Sequence, residues 1–117
     1  MNMYRENILE HYKNPDHYGN LEDYNAVCNA HNPSCGDEIE IKLKIVKGKI
    51  KNAKFQAKGC AISLASADIL LDNIKEKPLN EIKKLNERDL FKLLNVEITP
   101  ARINCALLAL NALKKIK

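Results

Sequence analysis

Asn32-Pro33-Ser34-Cys35-Gly36-Asp37-Glu38-Ile39-Glu40-Ile41-Lys42-Leu43-Lys44-Ile45 carries both the clearest strand signal of the chain and its first pair of reactive groups. Ile39, Ile41, Leu43 and Ile45 alternate with Glu38, Glu40, Lys42 and Lys44. That period of two predicts a strand with one buried and one wet face. Just before it, Pro33 fixes its own φ and removes a donor, while Gly36 accepts backbone angles that other residues resist. The segment therefore reads as a turn. Cys35 and Asp37 flank Gly36, so the turn can aim a thiol and a carboxylate at one point.

Working downstream, Lys47-Gly48 marks a tight reversal. The returning strand carries Ala53, Phe55 and Ala57 on one face, and Ile50 breaks that phase, which predicts a bulge near Lys51-Asn52. Gly59 ends the sheet. Cys60 opens a helix to about Glu76, with Ile62, Ala65, Ile69 and the segment 70–74 on a broad apolar side, and Pro78 ends it. Residues 79–94 hold a polar connector and a short helix with Leu90, Leu93 and Leu94. Thr99 is placed to cap the last helix and Pro100 to occupy its first turn. Ile103, Leu107, Leu110 and Leu113/Lys114 form its inward stripe. Cys105 falls on another side, among Leu108, Ala109 and Ala112, about a turn and a half into the helix.

Upstream, residues 25–30 read as a short strand carrying Cys28, and residues 13–24 as a polar loop with Gly19. Residues 3–12 read as an amphipathic helix with Tyr4, Ile8, Leu9 and Tyr12 on one face, stopped by Asn14-Pro15. The expected fold is α+β: a small three-stranded antiparallel sheet packed against four to five helices. Residues 1–117 are read as one domain.

Composition narrows the function. Apolar residues make up 45% and charged residues 29%, the balance of a soluble globular protein. No apolar run approaches the length of a membrane span. The opening Met1–Glu10 mixes charges and lacks the apolar core of a signal peptide, which points to the cytoplasm. In a reducing compartment, four cysteines argue against two structural disulfides. The net charge of +4 comes from scattered lysines, with a cluster at Lys114, Lys115 and Lys117 that suits a solvated helix end. Without an arginine-rich stripe or an aromatic ladder, nucleic acid is not the expected partner.

Cys60 falls where the helix dipole and unpaired N–H groups favour a thiolate most, and Cys105 receives less of that help. With Cys35 and Asp37 they form a set that can fill four positions around one ion, as Zn²⁺ requires. Lys58 and Arg102 flank Cys60 and Cys105 and can offset the negative charge of such a site. A carboxylate is a harder and more labile ligand than a fourth thiolate, which suits a centre that opens and releases its load. Gaps of 25 and 45 residues between the three cysteines leave a plainer reading open, in which the thiols are simply buried. Cys28 reads as a packed strand thiol. His31 reads as a turn or surface histidine. Both Cys28 and His31 also stand as substitute ligands. His11 and His17 read as structural or solvated, and Ser63 and Ser66 as residues that pack a helix closely rather than catalyse.

Three motifs in order carry a resemblance: Asn32-Pro33-Ser34-Cys35-Gly36-Asp37, then Gly59-Cys60-Ala61-Ile62-Ser63-Leu64-Ala65-Ser66-Ala67, then Pro100-Ala101-Arg102-Ile103-Asn104-Cys105-Ala106. With Ile8-Leu9-Glu10-His11-Tyr12-Lys13-Asn14-Pro15 they resemble the iron–sulfur cluster scaffold family of IscU, the NifU N-terminal domain and SufU. The resemblance implies that Cys35, Asp37, Cys60 and Cys105 ligate a transient [2Fe-2S] cluster and iron, or zinc. It implies a cysteine desulfurase and recipient apoproteins as partners, with Cys35 or Cys105 as persulfide acceptor, in a monomer or homodimer. It implies a scaffold rather than an enzyme. The alternative is a zinc-dependent sulfur acceptor like SufU. Two departures stand out. Asn104 occupies the position where IscU-type scaffolds carry histidine, and Ile98-Thr99-Pro100-Ala101-Arg102 differs from the Leu-Pro-Pro-Val-Lys chaperone motif of IscU. Arg102 and the Cys60 motif look more like SufU, yet the span between Cys60 and Cys105 is too short for the insertion that SufU usually carries there.

Overall fold

The computed structural model describes residues 10–33, 36–94 and 98–116. Three strands, β1 Ala26–Asn32, β2 Asp37–Val46 and β3 Lys49–Lys58, form one antiparallel sheet in the order β1-β2-β3. The alternation in β2 acts as expected: Asp37, Ile39, Ile41 and Leu43 are buried, while Glu38 and Glu40 are exposed. Lys47 and Gly48 both adopt positive φ, at 53° and 78°. Two such residues give the turn whose twist matches an antiparallel hairpin. The register then slips: Lys44 pairs with Asn52 but Ile45 with Ile50, so Lys51 is the extra residue of the predicted bulge. The slip turns Ile50 inward, where it is fully buried, and so reconciles its phase with that of Ala53 and Phe55.

Helices follow: α1 Ala61–Ile74, α2 Leu79–Lys83, α3 Glu87–Leu94 and α4 Ile103–Leu113, the last preceded by a 3-10 turn at Pro100–Arg102. A further helical stretch covers residues 10–13. The rest of the expected first helix lies outside the described residues, and Tyr12, placed on its apolar face, is exposed. Helix α4 packs on β1 and β2, α1 packs on β3, and the two helices pack against each other. The core lies in that interlayer, built from Ile39, Ile41, Leu43 and Phe55 below and Leu70, Leu71, Leu108 and Leu110 above.

Two expectations change here. The single stripe of α4 does not hold, because Leu108, Ala109 and Ala112 are buried along with Leu107 and Leu110. A helix wedged between a sheet and a second helix is covered on both sides, so its apolar arc widens and within the helix only Asn104 and Asn111 stay exposed. Nor does the Thr99 side chain cap anything. Its backbone carbonyl accepts the Arg102 N–H at 2.9 Å and closes the 3-10 turn instead. Arg102, at φ −109° and ψ −3°, breaks the helical run, so α4 restarts at Ile103 and Cys105 falls in its first turn.

The outer edge of β3 is covered at both ends. Gly19 donates to Phe55 and Phe55 to His17, each at 2.8 Å, while Ile50 donates to Lys77 at 3.1 Å. Covering an edge in this way removes a template for pairing with another chain. The loop that does so is fastened to α1, where fully buried Asp68 accepts the His17 N–H at 2.9 Å and meets the His11 ring nitrogen. Both histidines are thus structural, as expected. No helix among the described residues is long and apolar enough to cross a membrane.

Candidate metal centre

The register of the sheet places Asp37. It pairs with Asn32 across the first hairpin, and the next pair, Glu38 with Lys58, leaves Gly59 one step beyond, alongside Asp37. Asp37 is on the inward-facing phase of β2 and is buried. The chain then turns at Gly59, and Cys60 becomes the N-cap of α1 in an extended conformation, φ −80° and ψ 173°. Cys105 comes to the same place from the start of α4, which α1 packs against. A carboxylate oxygen of Asp37 and the sulfurs of Cys60 and Cys105 all lie within 4.8 Å of one another. Cys35, the fourth expected ligand, lies outside the described residues.

The two thiols differ in their protons. Burial pushes the Cys60 thiol up, but the Ser63 and Ile62 backbone N–H groups, the Ser63 hydroxyl and the Cys105 thiol face the sulfur and bring it below its ordinary value. The N–H groups act as the open end of the helix, although no capping hydrogen bond of ordinary geometry is closed. Cys105 is pushed up to about 12, first by burial, then because its thiol donates to Cys60 and Asp37 and faces their negative charge. The Cys105 thiol thus faces two acceptors, the Cys60 sulfur and the Asp37 carboxylate.

The donors fit a metal. Two sulfurs bonded to one tetrahedral zinc at about 2.3 Å lie about 3.8 Å apart. The observed spread of 4.8 Å needs only a small contraction to reach that distance. Thiolates also hold the iron of iron–sulfur clusters, so the donor chemistry suits either load.

Sequence reasoning missed one participant. Ser63, read as a packing residue, is buried and donates its hydroxyl to Asp37 Oδ2 at 2.7 Å, while its oxygen is 3.6 Å from Cys60 Sγ. Its place three residues after Cys60, on the same helical turn, was the available signal. The substitute ligands do not join the group. Cys28 sits mid-strand opposite Ile41, in the core, where burial pushes its thiol up to about 12. His31 pairs with Glu38 on the opposite, wet face. Lys58, Arg102 and Asn104 are exposed.

Comparison with known proteins gives the family. Residues 3–116 match the model of the NifU-like N terminal domain. The chain belongs to the NifU-like N-terminal domain family. Among its relatives in that family, the iron–sulfur cluster assembly scaffold protein IscU of Thermotoga maritima is 37% identical, over 97% of this chain and 91% of that one. The zinc-dependent sulfurtransferase SufU of Bacillus subtilis is 35% identical, over 97% of this chain and 88% of that one. The SufU alignment runs over 130 residues, more than the 117 of this chain, so that relative carries residues this NifU-like domain lacks. The crystal structure of FiSufU from Fervidobacterium islandicum shares the fold at a TM-score of 0.79 and 28% identity, over 93% of this chain and 92% of that one.

Proposed function

We propose that this chain is an iron–sulfur cluster assembly scaffold. It works as one domain that takes sulfur from a cysteine desulfurase, builds a [2Fe-2S] cluster on Cys35, Asp37, Cys60 and Cys105, and passes it to apoproteins. The observation that carries the reading is the convergence of Asp37, Cys60 and Cys105 within 4.8 Å, from three elements far apart in sequence. Sulfur acceptance is nucleophilic: a thiolate attacks the outer sulfur of the desulfurase persulfide, and the donor cysteine leaves as thiolate. Cys35 is the acceptor we favour, because Cys105 is buried and keeps its proton up to about 12. The chain carries the cluster rather than turning it over, and Asp37 sets its lability. Anaerobic incubation with iron, cysteine, a desulfurase and a thiol reductant, which supplies the two electrons that take each persulfide sulfur to sulfide, tests this reading. It should produce a sulfide-to-iron charge-transfer spectrum with about two irons and two sulfides per chain. A colourless protein that holds no acid-labile sulfide would sink it.

A second reading is favoured by Asn104, whose neutral amide stands where IscU-type scaffolds have histidine, and by the compact spread of the three donors. In it the chain is a zinc-dependent sulfur acceptor. Bound zinc would keep the thiols deprotonated and yield one of them on ligand exchange. The same experiment separates the two. Zinc that resists replacement by iron, together with faster desulfurase turnover, selects the acceptor.

A further inference from the structure

We propose that Ser63 is a positioning residue that makes Asp37 the ligand that leaves first. This deepens the reading above and rests on Asp37, Cys60 and Cys105 being ligands. The Ser63 hydroxyl is 2% exposed and donates to Asp37 Oδ2 at 2.7 Å. The same oxygen is 3.6 Å from Cys60 Sγ. A serine hydroxyl has one proton to give. The carboxylate at 2.7 Å is the closer acceptor, and the Cys60 sulfur at 3.6 Å the more distant one.

A second constraint acts from the other side. A Cβ on Gly59 would lie 3.1 Å from both Cγ and Oδ2 of Asp37, and 3.1 Å from the Ser63 Cβ. Gly59 shows no positive φ, so glycine is needed there for closeness rather than for backbone freedom. Backbone and hydroxyl together close around Oδ2.

The direction of the effect follows. A carboxylate that gives up a cation regains its full negative charge, and a hydrogen bond to that charge becomes stronger. Ser63 therefore favours the dissociated form of Asp37 over the bound one. Cys60 faces the Ser63 and Ile62 backbone N–H groups, but a thiolate holds a soft or borderline cation more firmly than a carboxylate does. Asp37 departs while the thiolates stay.

Cobalt(II) reports the exchange, because its d–d bands show the geometry and its sulfur-to-cobalt band shows the thiolates. The loaded full chain is mixed with excess chelator and the bands are followed in time. Ser63→Ala should release cobalt about tenfold more slowly than the parent, the loss of one charge-assisted hydrogen bond. Ser63→Thr, which keeps the hydroxyl, should return towards the parent rate. In an Asp37→Ala background Ser63→Ala should be silent, since its partner is gone. A Ser63→Ala rate equal to or above the parent overturns the proposal, as does a Ser63 effect of the same size without Asp37. A parent that takes up cobalt with no thiolate band overturns the ligand reading itself, and this proposal with it.

Discussion

The Cys105 thiol donates to the Cys60 sulfur, and the two hold protons in opposite ways: Cys60 is drawn below its ordinary value and Cys105 is pushed up to about 12. A metal that binds both sulfurs must expel the Cys105 proton at every ordinary pH. Acid restores that proton, so affinity falls as pH falls. Zinc affinity measured by competition with a chelating dye should rise about tenfold per pH unit for each thiol proton displaced, between about pH 6 and 9. Cys105→Ser should flatten the profile. A flat profile in the parent would show that Cys105 is not a ligand.

Asp37→Ala removes the hard ligand and leaves the thiolates. An assembled cluster should then persist several-fold longer, followed by the decay of its visible absorbance under a recipient apoprotein or chelator. A lifetime equal to that of the parent contradicts a role for Asp37 in release.

Gly59→Ala tests the close approach to Asp37. The new methyl group meets the carboxylate at 3.1 Å, so the acid must shift by a few tenths of an ångström. Unfolding free energy should fall by about 1 kcal/mol. Metal affinity should fall more steeply, by about tenfold or more, because ligands tolerate little displacement. Equal losses in both would mean that the site has no special sensitivity.

Asp68→Ala acts elsewhere. It strips the His17 N–H and the His11 ring of a fully buried acceptor. The expected cost is about 2–4 kcal/mol, or about 10 °C in the thermal midpoint, with the metal spectrum unchanged. A midpoint within about 2 °C of the parent would mean that water replaces the carboxylate at no loss.

Metal removal should not unfold the chain. The core between the sheet and α1 and α4 is continuous without the centre. Chelator should leave the far-ultraviolet circular dichroism intact and lower the midpoint only by the lost binding energy. Collapse of the spectrum on chelation would instead identify a structural zinc domain.

Much of this was legible in advance, and for local reasons. The Ile39–Ile45 alternation, the Lys47-Gly48 turn and the phase break at Ile50 each depend on neighbours in sequence, and each has its expected counterpart. The convergence of Asp37, Cys60 and Cys105 was legible through motif resemblance, not through spacing. What stayed hidden depends on partners far along the chain. The Ser63 hydroxyl meets an acid 26 residues away, and Asp68 meets a ring 57 residues away. Inside an apolar helix neither declares its partner. The wide burial of α4 was hidden for a related reason: periodicity reveals one covered side, while a helix sandwiched between two layers has more.

Cys28 has a practical consequence. It is walled in, 5% exposed, with its proton held up to about 12. Alkylating and oxidising reagents attack thiolates within reach, so they meet Cys28 only after unfolding. A thiol count on the native protein is therefore blind to it, and equally to Cys105, which is 6% exposed with its proton held up to about 12. The arrival of a single sulfur atom can then be tallied without these two buried thiols blurring the stoichiometry.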